Sequence, residues 1–471
     1  MTTLTIISEK ELPLEMLLME PHLRRPHTSS ISSLLISGMQ QQQQQPSTSA
    51  TELYTEPKRL TALETYLSQG VQHVDSNSPL YSAKTFEELN LKTELLKAIY
   101  EMKYNAPSKI QEQALPILLA NPPKNLIAQS QSGTGKTAAF TLALLSRVDS
   151  SKPYPQVLCL SPTFELALQT EKFIASLAKY LPDIKLILAT KGENLPKGTQ
   201  IKEHVVIGTP GKVLDWALKY RFFDPKMINV FVLDEADIMI SIQGYQDQCL
   251  RIHGQLNFAC QLMFFSATFN DEIMLFAEAI VTNPVIIRLK KEEESLDNIK
   301  QYYALCQTLD DKYEAIDNIY GAISIGQTII FCHTKKTANW LSDKMTKDGH
   351  SVGILSGDLT VEDRVRVLHR FREGLEKVLI TTNVLARGID VEQVTVVVNF
   401  DMPVDQNNKA DYETYLHRIG RTGRFEKKGI AINLIDSQHS MLICRDIQNH
   451  FRKTIALLNV KDPEEIEKIG S

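Results

Sequence analysis

The chain has 471 residues, 43% of them hydrophobic and 23% charged, with 51 Lys+Arg against 56 Asp+Glu for a formal charge of −5. That length calls for more than one packed core, and the mild acidity excludes a protein that holds nucleic acid by bulk positive charge, so any such contact has to be local. No run approaches the roughly 18 apolar residues of a spanning helix, no basic stretch precedes an apolar N-terminal core, and the six cysteines (Cys159, Cys249, Cys260, Cys306, Cys332, Cys444) form no C-x-x-C pair or disulfide framework, which reads as an intracellular, reduced protein.

Residues 1–77 carry a glutamine run at 40–45 followed by Pro46-Ser-Thr-Ser49 and no sustained strand pattern, so a largely disordered, low-complexity extension is expected there. Within it Leu60, Leu63 and Leu67 share one helical face, the mark of a short docking helix or of a transient solvent helix. From residue 78 the pattern changes. The apolar run Asn125-Leu-Ile-Ala128, a glycine-rich turn and a helical run over 138–145 give the strand–loop–helix context of a phosphate loop, Ser130-Gln-Ser132-Gly133-Thr134-Gly135-Lys136-Thr137. Gly133 and Gly135 free backbone N–H groups for phosphate, Lys136 brings a point charge and Thr137 a hydroxyl for Mg²⁺. Ser130 stands where the general pattern has its first glycine.

Short β-branched runs at Val157–Leu160, Val205–Gly208, Val230–Leu233 and 262–265 read as buried parallel strands of one doubly wound α/β domain, 78–287. Asp234-Glu235-Ala236-Asp237 follows the third, at a strand end where metal and phosphate ligands gather. A charged segment at 288–298 reads as an exposed linker. The rhythm resumes at 328–331, Val352–Leu355, 378–380, 394–398 and 430–434, giving a second α/β domain, 299–471, with no phosphate loop but a cluster His417-Arg418-Ile-Gly-Arg421-Thr-Gly-Arg424. Half of a nucleotide site in each domain is the arrangement this order implies.

Taken together, these residues resemble a DEAD-box RNA helicase of superfamily 2, from Phe86 to the C-terminus. The resemblance implies tandem RecA-like domains joined by a flexible linker, ATP and Mg²⁺ as cofactors, and RNA-stimulated ATP hydrolysis. By the same resemblance, Phe86, Tyr104 and Gln111 form an adenine-reading motif, with Gln111 bonding adenine and Tyr104 stacking on it. Lys103 stands where the family has glycine. Thr137 and Asp234 hold Mg²⁺, Glu235 orients or deprotonates the attacking water, Asp237 links to Ser266-Ala-Thr268, and Asp390 contacts ribose with Arg387 bracing the closed form. Arg421 and Arg424 are the expected arginine fingers, a role worth about 10³–10⁵ in rate.

Single-stranded RNA is expected at Pro162, Thr163, Gly192, Thr209, Gly211, His333, Thr334, Gly357, Asp358, Arg364 and Thr381, a set rich in backbone donors and hydroxyls that suits sequence-independent grip. Three positions depart from the family pattern: Phe164 and Val361 replace its arginine and glutamine, and Lys212 replaces an arginine. Phe164, Asn77-Ser-Pro-Leu-Tyr81, the loop at 404–411 and Phe400-Asp-Met-Pro-Val-Asp405 resemble the messenger-RNA-export branch of the nuclear pore. That likeness implies remodelling of messenger ribonucleoprotein by a monomer, in nucleus and cytoplasm and concentrated at the pore's cytoplasmic face. Its implied partners are a cytoplasmic-face nucleoporin and an export activator carrying inositol hexakisphosphate. An ATP-gated RNA clamp acting as a scaffold, or a paralogue in translation or splicing, shares the same motifs.

Overall fold

Seven strands in each half of the chain are rich in Val, Ile, Leu and Phe, and each set assembles into one parallel sheet. The computed structural model describes residues 82–130, 133–288, 298–382, 391, 393–423 and 428–470. The extension 1–77, its Leu60/Leu63/Leu67 face, nearly all of the linker, and Ser132, Arg387, Asp390 and Arg424 therefore lie outside the described residues.

The first lobe contains β1 (Asn125–Gln129), β2 (Val157–Leu160), β3 (Leu186–Ala189), β4 (Val205–Gly208), β5 (Val230–Leu233), β6 (Gln261–Ser266) and β7 (Pro284–Ile287), ordered β3-β4-β2-β5-β6-β1-β7. The second contains β8 (Ile299–Leu305), β9 (Gln327–Phe331), β10 (Val352–Leu355), β11 (Val378–Thr381), β12 (Val394–Asn399), β13 (Gly429–Ile435) and β14 (Ala456–Leu457), ordered β10-β11-β9-β12-β13-β8-β14. All pairings among them are parallel.

Alternate residues of each strand enter opposite cores, as a two-residue period requires. In β2, Val157 and Cys159 join one core while Leu158 and Leu160 join the other; in β5, Val230 and Val232 oppose Phe231 and Leu233. Helices cover both faces, so the central strands carry no polar stripe. All six cysteines are buried free thiols. Among the described residues no helix is long and apolar enough to cross a membrane.

The turn at Lys103 keeps the backbone that glycine would give. Lys103 has φ +64°, and the N–H of Tyr104 bonds Ile99 O at 3.1 Å to close the end of helix Thr93–Glu101. The lysine holds this left-handed turn at a cost of about 1 kcal/mol.

Candidate functional site

Three adjacent strands, β5, β6 and β1, end on one edge of the first sheet and deliver the chemistry there. Register sets Gln129 beside Ser266 and Leu233 beside Phe264, so the phosphate loop, Ser266-Ala267-Thr268 and Asp234-Glu235 emerge side by side. The N–H of Ser130 donates to Ser266 O at 2.9 Å, and the Ser130 and Thr134 hydroxyls bond each other. Gly133 and Gly135 have φ +80° and +101°, and helix Lys136–Arg147, which contains Thr137, begins straight after Gly135. Such a helix start carries free N–H groups and a positive dipole end toward an anion. Lys136 is buried and its Nζ donates to Ser130 O at 2.6 Å.

Gln111 is tied to this loop. Its Nε2 donates to Gly135 O at 3.0 Å and its Oε1 accepts from Ser108 N at 3.0 Å, leaving one N–H and one lone pair for a base. A Cβ on Gly135 would lie 2.3 Å from that Nε2, so a side chain there would displace the amide as well as meet an unfavourable φ. Of the other two residues of the expected adenine motif, one is buried and one half-buried. Phe86 is 0% exposed within the hydrophobic core, edge-on to Tyr100. Tyr104 is half-buried and packs edge-on against Phe173, with ring centroids 6.5 Å apart.

Asp234 and Glu235 are both buried. Burial first, and then the neighbouring Glu235, push Asp234 up to about 7, while Lys136 opposes the shift. Glu235 takes φ +48°, an uncommon conformation for a side-chain-bearing residue, and its Oε2 is buried without a hydrogen-bond partner. Burial likewise lowers Lys136, with Asp234, Glu235 and Asp237 supporting its charge. Arg421, from the second lobe, is close enough that its own charge works against that of Lys136. Arg421 is itself buried, and its Nε donates to His417 O at 2.9 Å.

The described residues fall in one compact unit, and polar contacts join the lobes. His417 Nε2 meets Asp237 Oδ2 at 2.7 Å, with side chains 3% and 1% exposed. The same Asp237 oxygen accepts from Thr268 Oγ1 at 3.3 Å, while Ser266 Oγ donates to Thr268 O at 2.8 Å. Asn270 Nδ2 donates to Glu413 Oε1 at 2.8 Å, Arg372 to Gln169 Oε1 at 3.0 Å, and Arg364 Nε lies 3.2 Å from Glu165 Oε1. Asp237 thus contacts both Thr268 and the second lobe. Asn270 and Gln169 are outside every motif read from sequence, and Glu165 and Glu413 lie within motifs without having been given a role, because a contact between lobes leaves no periodic signal in either.

The expected RNA residues cluster at helix starts following strand ends. Thr163 caps helix Phe164–Leu177, accepting from Leu166 N at 3.2 Å, and Thr334 caps helix Lys335–Lys347, accepting from Thr337 N at 3.0 Å. Thr209 precedes the helical turn Pro210–Leu214 that holds Gly211, and Pro162 is buried beside Thr163. Gly192 has φ +106°, with open space around it as around Gly357. His333 N donates to Asp401 Oδ2 at 2.8 Å. Asp358 pairs with Lys335, and Thr381 is buried with its hydroxyl on Thr382 O at 3.1 Å, so the Thr381 side chain faces inward. Of the departures, Phe164 and Val361 open their helices, and Lys212 Nζ donates to Asn194 Oδ1 at 3.3 Å.

The DEAD/DEAH box helicase family matches residues 108–276, and the helicase conserved C-terminal domain matches residues 311–426. The ATP-dependent RNA helicase DDX19A of Homo sapiens is 61% identical over 397 residues, 84% of this chain and 83% of its own length. Among solved structures, S. cerevisiae Dbp5 bound to RNA and ADP BeF3 superposes with a TM-score of 0.78 at 48% identity, covering 82% of this chain and 99% of that one. A single-substitution variant of S. cerevisiae Dbp5 bound to Nup159, a Gle1 variant, IP6 and ADP gives a TM-score of 0.61 at 46% identity, covering 80% of this chain and 98% of that one. With the phosphate loop, the paired carboxylates and the arginine of the second lobe brought together as described, the chain belongs to the DEAD-box helicase family, in the branch of DDX19 and Dbp5.

Proposed function

We propose that the chain is an ATP-dependent RNA helicase whose two lobes close around ATP and single-stranded RNA together, remodelling messenger RNA–protein particles during export at the nuclear pore. The observation that carries this reading is the buried Asp234–Glu235 pair set against Lys136 and linked through Asp237 to His417 of the other lobe. A site divided this way makes hydrolysis depend on closure, and closure depend on both ligands.

Ser132, Gly133, Thr134, Gly135, Lys136 and Thr137 cradle the phosphates, and Gln111 reads adenine with the N–H and lone pair left to it. Tyr104 lines the base and Asp390 the ribose. Among the described residues no three His, Cys, Asp or Glu side chains gather as a metal cage. Mg²⁺ asks for less, because it keeps waters and binds through one or two protein oxygens plus phosphate. The raised Asp234, the unpartnered Glu235 Oε2 and the Thr137 hydroxyl fit that donor set, with Thr137 and Asp234 as direct holders; the ion supplies charge neutralisation at the phosphates. Glu235 orients or deprotonates the attacking water. Arg421 and Arg424 hold the charge that develops as the bridge to the γ-phosphate breaks. Ser266 and Thr268 pass closure to the RNA side.

RNA lies along the helix starts at Thr163, Thr209 and Thr334 with Pro162, Gly192, Gly211, His333, Gly357 and Asp358, gripped by dipole ends and backbone N–H groups rather than by net charge, and Arg364 adds one cation. Thr381 contributes through its backbone. The complex of the relative with Nup159, Gle1 and IP6 supports a nucleoporin and an inositol-hexakisphosphate-bound activator as partners, and a station at the pore's cytoplasmic face. Strand release from a short duplex tests the reading: release that needs ATP supports it, whereas ATP-dependent RNA binding without release makes the chain a clamp.

A further inference from the structure

Helix Lys136–Arg147 starts at the phosphate loop, and helix Lys109–Leu118 carries Gln111 in its first turn. Both run to a cavity of about 540 Å³, which Arg147, Pro116 and Leu119 line from the C-terminal ends, with Glu88, Leu89 and Lys92 from the segment before them. The longer helix has 12 residues and so spans about 18 Å, which sets the cavity well away from the phosphate loop. Its volume suits a small organic ligand.

Arg147 Nη2 donates to Leu118 O at 2.6 Å and to Ala120 O at 2.9 Å, and Lys92 Nζ donates to Leu145 O and Val148 O at 3.3 Å each, so both cations serve carbonyls left over at helix ends. Capping accounts for those bonds and not for the charges. Arg147 Nε is buried without a hydrogen-bond partner, and the two donors on Nη1 are uncommitted as well. Burial lowers Arg147, and no carboxylate opposes that shift. Among the described residues neither Arg147 nor Lys92 stands in an ion pair. The carboxylate on the cavity wall, Glu88, is exposed and accepts from Lys84 N at 2.9 Å. Two cations thus face one carboxylate around a cavity whose other walls include Leu89, Pro116 and Leu119. A partly desolvated guanidinium with no counter-charge is stabilised by an anion beside it.

We propose that this cavity binds a small organic anion, with its carboxylate or phosphate group between Lys92 and Arg147 and an apolar body against Leu89, Pro116 and Leu119. None of these residues has a place in the nucleotide or RNA site above, so the proposal stands apart from that reading. A ligand there touches the far ends of the two helices whose first turns hold Gln111 and the phosphate loop.

The test uses the full chain with its nucleotide site filled by saturating ADP and Mg²⁺, and isothermal titration calorimetry with 2-naphthoate, 2-naphthyl phosphate and the neutral 2-naphthamide. At least one of the two anions is expected to bind at a single site, about tenfold or more tighter than the amide. Tighter 2-naphthoate assigns a carboxylate ligand, and tighter 2-naphthyl phosphate a phosphate monoester. Lys92→Gln should weaken the anion about tenfold, the effect of one charged contact. Ala120→Trp, which fills the cavity and leaves both cations, should abolish binding and stands in if Lys92→Gln folds poorly. Anions that bind no better than the amide, or binding undiminished in either folded variant, overturn the proposal.

Discussion

Replacing His417 with alanine tests the join between the lobes most sharply. Its Nε2 lies 2.7 Å from Asp237 Oδ2, and the two side chains are 3% and 1% exposed, so water gives neither group a substitute partner. A buried hydrogen bond to a charged group contributes about 1.5–3 kcal/mol, and its loss shifts the closed population by roughly 10- to 150-fold. Asp237 retains Thr268, though at the longer 3.3 Å. Steady-state ATP hydrolysis with saturating RNA should therefore lose about 10- to 150-fold in kcat/KM for ATP in His417→Ala. The solvent-facing Asn270–Glu413 contact, at 2.8 Å, provides the contrast. Asn270→Ala should cost less than about fivefold, as exposed contacts do. Asp237→Asn combined with His417→Ala should be little worse than either alone, because both remove one interaction. Additive losses in that cycle, or normal turnover in His417→Ala, would refute the reasoning.

Glu235→Gln should retain ATP and RNA binding and abolish turnover, and Lys136→Ala should instead lose nucleotide affinity; equilibrium binding alongside hydrolysis separates the two. Gln111→Ala deprives Gly135 O and Ser108 N of their partners, so ADP as well as ATP should bind about tenfold more weakly; wild-type ADP affinity would remove Gln111 from loop support. Lys103→Gly relieves the left-handed backbone at φ +64° and should stabilise the first lobe by about 0.5–1 kcal/mol, read as a higher Tm. A lower Tm would mean the lysine side chain matters more than its backbone.

Ten strands were legible from runs such as Val157–Leu160 and Val352–Leu355, because a sheet covered on both faces selects unbroken apolar residues. β3, β7, β8 and β14 were not. β3, β7 and β14 lie at sheet edges and are apolar but short, so periodicity alone does not set them apart from a helix or loop segment, and β8 mixes Lys300, Gln301 and two tyrosines directly after a charged segment. At the site, the phosphate loop, Asp234-Glu235 and His417–Arg421 were visible as local patterns, while the link from Asp237 to Thr268 came only from the family resemblance. What sequence left obscure is pairwise geometry: that Phe86 is core, that Gln111 is bound to Gly135, and that Glu165 meets Arg364. Each depends on where two distant segments come together, which neither segment encodes alone.

The central claim is that one ATPase site is assembled from both lobes when RNA is bound. Steady-state ATP hydrolysis by the full chain, with and without single-stranded RNA, in the wild type and in Arg421→Ala, tests it most directly. The account predicts turnover accelerated by RNA in the wild type and lost with and without RNA in Arg421→Ala. Turnover indifferent to RNA, or undiminished without the arginine of the second lobe, would contradict it.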